Sequence, residues 1–331
     1  MRTRRSVWGF APALVLLGTV FQSCSNDSDR TGGAATASSS NLATADATAT
    51  IVDPGSPGAF RAAYVEVSAP LSAFRIGAWY PTDATAAGSP STPSPIAAHP
   101  QPFPVVLLAP GDAGSGKNFT YLAEHLASWG YVVVSAVGTD TTEPKRVARF
   151  EELWKGLSAS DNTTAQSLAW SLRTTRIALI AATSASAALF DEAGGIDTGA
   201  IVALGAHPAE IAGASSSRTP AMLMFSGKDA RGGDPIAMRL VFQNADPRVR
   251  PYLVYFPDGV ADSFVDTCLS NCSPVFTQQR AHELVTRYVT AFLQTYVRGD
   301  ARYARDLGGS TTEQADGEDD PPDAIITRVG S

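Results

Sequence analysis

Three cysteines, four histidines and no basic cluster beyond the first five residues leave this 331-residue chain short of the groups that most site chemistries need. So little cysteine excludes a fold built on a disulfide framework, and no local run of Cys and His has the spacing of zinc ligands. With a net charge of -7 and no clustered Lys or Arg in the body of the sequence, the chain carries no electrostatic footprint for nucleic acid. No apolar stretch reaches comfortable membrane-spanning length, and no repeat recurs at a fixed period.

What is present starts with Arg2, Arg4 and Arg5, an apolar stretch from Val7 to Val20, and Phe21-Gln22-Ser23 before Cys24, the pattern of a secretory signal. Ser23-Cys24 resembles the end of a bacterial lipobox, and Thr3-Arg4-Arg5 a twin-arginine start. The expectation is an exported protein anchored to a membrane through a lipid on Cys24, in the periplasm or at the cell surface, or secreted if Cys24 is unmodified. Residues 1–24 are then the signal. Residues 25–58 hold Ser, Thr, Ala, Asp and Gly with almost no large apolar side chain, so they read as a disordered tether. Residues 59–299 suffice for one sizeable domain. The tail, 300–331, is acidic and Pro-containing between Glu313 and Asp323, a composition that predicts disorder. In an exported chain Cys268 and Cys272 form a close pair expected to close a small disulfide loop.

Within the domain, β-rich runs at Ala63 to Val67 and Arg75 to Tyr80 predict an antiparallel opening pair. Val105 to Ala109 is a continuous apolar run, Phe119 to Ala127 has helical spacing, and Tyr131 to Val137 is apolar again. An Ala/Leu segment from Ala165 to about Ser186 predicts a long helix; strands follow at Ala200 to Gly205, Ala221 to Ser226 and Tyr252 to Phe256, and a last helix carries Leu284, Tyr288, Phe292 and Tyr296. Runs apolar on both faces that alternate with amphipathic helices predict a three-layer α/β/α sandwich with a mostly parallel central sheet. Loops after the strands' C-termini are where such sheets build sites.

One motif is misleading. Gly111-Asp112-Ala113-Gly114-Ser115-Gly116-Lys117 matches a phosphate-binding loop, but Asn118 stands where a Ser or Thr hydroxyl would hold magnesium, and no later apolar strand ends in the required Asp. The loop reads as the glycine-rich wall of a cleft.

The segments 103–134, 196–210, 219–230, 255–266 and 285–300 resemble, in order and spacing, an α/β-hydrolase, and in layout the secreted esterases of the dienelactone hydrolase, chlorophyllase and cutinase-like polyester hydrolase group. The resemblance implies a nucleophile elbow at Gly205-Ala206-His207-Pro208-Ala209, with His207 in place of the serine, the acid at Asp229, and Asp262 where the histidine belongs. It implies oxyanion donors at Asp112 and at Pro208, and Pro208 has no N–H to give. Ester cleavage needs a hydroxyl beside a base, and on this register neither is in place. Ser226 and Ser263 read as loop hydroxyls, and His99, His125 and His282 lie away from the site loops.

Two readings follow. In the first, the chain has lost ester hydrolysis, and its cleft binds a small-molecule or ester-like ligand or a partner; in the second, it is a carboxylic ester hydrolase with an unconventional site. No cofactor is expected. His207, Asp229 and Asp262 read as a buried ion-paired group, with divalent-metal binding the less favoured alternative.

Overall fold

The computed structural model describes residues 51–68, 75–83, 94–137, 150–192, 196–208, 211, 217–229, 233–242, 251–267, 273, 275–308, 314–316 and 324–328. Cys24, Cys268 and Cys272, and with them the lipid-anchor and disulfide expectations, lie outside these residues.

Among the described residues ten strands form one sheet. Along the chain they are β1 (Arg61–Ser68), β2 (Arg75–Thr82), β3 (Phe103–Ala109), β4 (Val132–Val137), β5 (Leu172–Ala182), β6 (Thr198–Leu204), β7 (Ala221–Ser226), β8 (Tyr252–Phe256), β9 (Gln314–Asp316) and β10 (Ala324–Arg328). Across the sheet the order is β1-β2-β4-β3-β5-β6-β7-β8-β10-β9. The six central strands, β4 to β8, run parallel, and antiparallel pairs flank them on both sides. Parallel strands must be covered on both faces, which is why β3, β6 and β7 are buried along almost their whole length.

Alternate side chains of these strands enter two separate cores. On one face Leu107, Leu179, Ile201 and Leu223 meet α2 (Phe150–Ser158), α3 (Thr163–Ser171), α4 (Ser186–Glu192) and α5 (Pro235–Val241) through Leu153, Leu168, Leu189 and Met238. On the other, Val106, Ile180, Val202 and Met224 meet α1 (Thr120–Ser128) and α6 (Gln278–Leu293) through Leu122, Leu126, Tyr288 and Phe292. The protein is therefore an α/β protein with helices on both faces of a mostly parallel sheet. Among the described residues no helix is long and apolar enough to cross a membrane.

The structure departs from the sequence expectation in three places. The segment read as one helix from Ala165 to Ser186 is α3 followed by β5, the central strand between β3 and β6. Ile177 to Ala182 is apolar and buried on both faces, and position in the sheet outweighs the helix propensity of its Ala and Leu residues. The tail also joins the domain, with β10 pairing β8 and burying Ala324 and Ile326. Finally, residues 51–58, read as the end of the tether, are fastened to α1: Trp129 Nε1 donates to Ser56 O at 2.9 Å and Gly58 N to Ser128 Oγ at 2.8 Å.

Candidate functional site

Five neighbouring strands, β3 and β5 to β8, end at the same edge of the sheet, and the turns that follow them interlock. After β3 the chain enters a 3-10 turn, Gly111–Ala113, and after β5 another, Thr183–Ala185. The amide of Asp112 donates to Thr183 Oγ1 at 3.1 Å, and Ser184 Oγ donates to Asp112 Oδ1 at 2.8 Å. Gly111 permits this approach: its φ is +58°, and a Cβ there would lie 2.0 Å from Ala182 O. On the opposite side a Cβ at Gly205 would lie 3.5 Å from both the Thr183 methyl and the Phe264 ring. The turns after β7 and β8 are tied by Lys228 N to Gly259 O at 3.0 Å and by Ser226 Oγ to Val260 O at 3.1 Å.

Thr183 has the unusual backbone of this edge. Its φ is 47°, one of two positive values among the described non-glycine residues, and for a β-branched side chain this is a genuine outlier. The sharp strand-to-helix turn thus lies between β5 and α4, with Thr183 half-buried at its apex. His207 follows β6 instead, and the positive φ in its turn belongs to Gly205. A sequence signal for Thr183 was available in Ala181-Ala182-Thr183-Ser184-Ala185, a frame of small residues directly after an apolar run.

The structure does bring two of the expected residues together. His207 and Asp229 are buried, with Nε2 to Oδ2 at 3.3 Å. That distance suits an ion pair when the ring is protonated, but the alignment is not that of a hydrogen bond, and among the described residues neither ring nitrogen has a hydrogen-bond partner. Asp262 is half-buried in the 3-10 turn Ala261–Phe264. No group of three or more His, Cys, Asp or Glu among the described residues is arranged to hold a metal ion. His207, Asp229 and Asp262 therefore do not form the metal-type cluster considered from the sequence.

Asp112 is exposed, and its carboxylate is fixed by Ser184. Pro208 follows His207 and so is not the residue after the strained turn; Ser184 is, and it has an N–H. Ser226, Ser263 and the other three histidines have structural partners. Ser263 Oγ accepts from Val260 N at 3.1 Å, and the rings of His99, His125 and His282 contact the carbonyls of Gln101, Pro54 and Val265. The loop resembling a phosphate cradle splits into the turn Gly111–Ala113 and a second one, Gly116–Phe119, and Lys117 leaves it to pair with Glu66 on β1 at 2.6 Å. No protein-family model matches this chain, and no curated protein matches it.

Proposed function

We propose that this chain is an exported α/β-hydrolase-fold protein, held at a membrane through Cys24, whose cleft at the ends of β3 and β5 to β8 binds a small-molecule or ester-like ligand without cleaving esters. The strand order and the strained turn after the fifth strand support the fold, and on this reading Thr183, rather than His207, occupies the nucleophile position. The observation that carries the loss of catalysis is the bond from Asp112 N to Thr183 Oγ1. An amide placed to stabilise an oxyanion is engaged by the hydroxyl that would attack. That hydroxyl has no hydrogen bond to His207, whose ring nitrogens have no hydrogen-bond partner among the described residues. The Asp112 carboxylate beside it opposes the negative charge that ester cleavage develops. Asp262, in the loop after β8, provides no general base of histidine's kind.

One arrangement favours the second reading, an active ester hydrolase. Thr183, His207 and Asp229 follow β5, β6 and β7, which are neighbours in the sheet, so the histidine leaves the strand between those that precede the hydroxyl and the carboxylate. A panel of p-nitrophenyl esters separates the two. The expected result is no turnover by the natural protein and measurable turnover by Thr183→Ser combined with Asp262→His. Turnover by the natural protein that disappears in both Thr183→Val and His207→Ala would establish the second reading instead.

A further inference from the structure

At the opposite end of the sheet, Arg173 and Arg176 of β5 meet Arg298, distant in sequence, at one turn of backbone. After α6 the chain makes a single π turn, Gln294–Arg298, and leaves it at Gly299. Arg173 Nη2 donates to Val297 O at 2.7 Å, and Arg176 Nη2 donates to Tyr296 O. Arg298 Nη2 turns back to Trp129 O at 3.0 Å and Gly130 O at 2.8 Å. Arg176 reaches this turn from a φ of 55°, where the register of β5 against both of its neighbours shifts.

Cations do settle on the last carbonyls of a helix, which accounts for one such contact. It does not account for three guanidinium groups at one turn. Burial and the adjacent charges of Arg176 and Arg298 hold the Arg173 pKa below its ordinary value, with Asp197 and the Tyr131 hydroxyl acting in the other direction. The carbonyl bonds described use at most two of the five N–H groups that each guanidinium offers. A second, independent observation lies beneath them. Tyr131 is fully buried, its hydroxyl has no hydrogen-bond partner among the described residues, and the Arg298 guanidinium sits 4.9 Å from its ring centre. Burial keeps that hydroxyl protonated, against the pull of Arg298, so it can donate.

We propose that this turn is a binding site for a tetrahedral oxyanion of the phosphate class, held by Arg173, Arg176 and Arg298 with the Tyr131 hydroxyl as a further donor. Planar guanidinium forks suit such an anion, and an anion there would relieve the crowding of like charge. Six residues of β5 lie between Arg176 and Thr183, a span of about 23 Å at the usual strand rise, so the site is distinct from the cleft and does not depend on its assignment.

Calorimetric titration with inorganic phosphate, against chloride at matched ionic strength, tests it. The expected result is phosphate binding at least about tenfold tighter than chloride, with Arg176→Gln and Arg298→Gln each weakening it about fivefold or more. Tyr131→Phe, which keeps the ring under Arg298, weakens it by a smaller factor, and Arg218→Gln, an exposed arginine elsewhere, leaves it unchanged. Co-sedimentation with phosphatidylcholine vesicles, with and without phosphatidic acid, identifies the source. Retention on the acidic vesicles that free phosphate displaces marks a lipid headgroup, and phosphate binding without retention marks the free anion. Equal response to phosphate and chloride, or full phosphate affinity in folded Arg176→Gln and Arg298→Gln proteins, would overturn the proposal.

Discussion

At Thr183 a β-branched side chain is held at a φ of 47°, a backbone state that costs an L-residue about 1–2 kcal/mol. Its hydroxyl accepts from the amide of Asp112 and its carbonyl from the amide of Ser186, bonds that hold the residue in this turn. Replacement by asparagine tolerates left-handed backbone and keeps an oxygen that can accept from Asp112 N, so Thr183→Asn is expected to stabilise the protein by about 1 kcal/mol. Thr183→Val keeps the strain and loses the hydroxyl, and is expected to destabilise by about 1 kcal/mol. Thermal melts read both, as shifts of about 2–4 °C in opposite directions for a domain of this size. A gain in Thr183→Val would mean that the hydroxyl bond contributes nothing. Among single residues the sequence made the approach of Asp229 to His207 legible, since a buried imidazole and carboxylate on neighbouring loops are expected to pair. Thr183 stayed hidden because its frame of small residues, Ala181 to Ala185, falls inside the run whose composition favours helix.

Elements were legible wherever a strand is bounded by punctuation. Tyr252–Phe256 and Ala221–Ser226 lie between proline, glycine and polar residues, and the structure places both strands at the bounds that the apolar run indicates. The segment Ala165 to Ser186 has no such break inside it, and Arg173-Thr174-Thr175 is its one β-favouring interruption, so strand and helix could not be told apart by period alone. The tail was misjudged for a different reason: its acidic linker masks a short alternating strand, Ala324–Arg328, whose buried residues complete the core beneath β8. β10 also covers what would otherwise be an exposed edge of the parallel sheet. Truncation after Gly308 is accordingly expected to lower the melting temperature and to cause aggregation that increases with protein concentration. Light scattering during a melt reads both effects, and an unchanged melt with no scattering would show that β8 does not need its neighbour.

Across the whole molecule, the layered architecture was readable because two-sided burial leaves continuous apolar runs, whereas the arginine cluster was not, because Arg173 and Arg298 are brought together only by the antiparallel course of β5 and α6. The packing of α1 and α6 also sets a pH response for the entire fold. His125 on α1 and His282 on α6 are both held below their ordinary pKa of 6.5, chiefly by burial. Each has its Nε2 against a carbonyl, Pro54 O and Val265 O at 2.9 Å, and His282 also stacks on Tyr121 at 3.6 Å. These bonds, with Asp53 near one ring and Asp266 near the other, favour the charged form without reversing the effect of burial. In the unfolded chain the rings titrate near 6.5, so as the pH falls below that value the unfolded state binds more protons than the folded one. The stability contributed by the neutral rings is complete above pH 6.5 and is lost as the pH falls through the lower folded values. Glu124, on α1, has its pKa raised by burial and by Asp266, so it titrates with the opposite sign. The melting temperature is therefore expected to decline from about pH 7 to about pH 5, and the decline to flatten in the double variant His125→Gln, His282→Gln but not in Glu124→Gln. An equally steep decline in the double variant would assign the acid sensitivity to other groups.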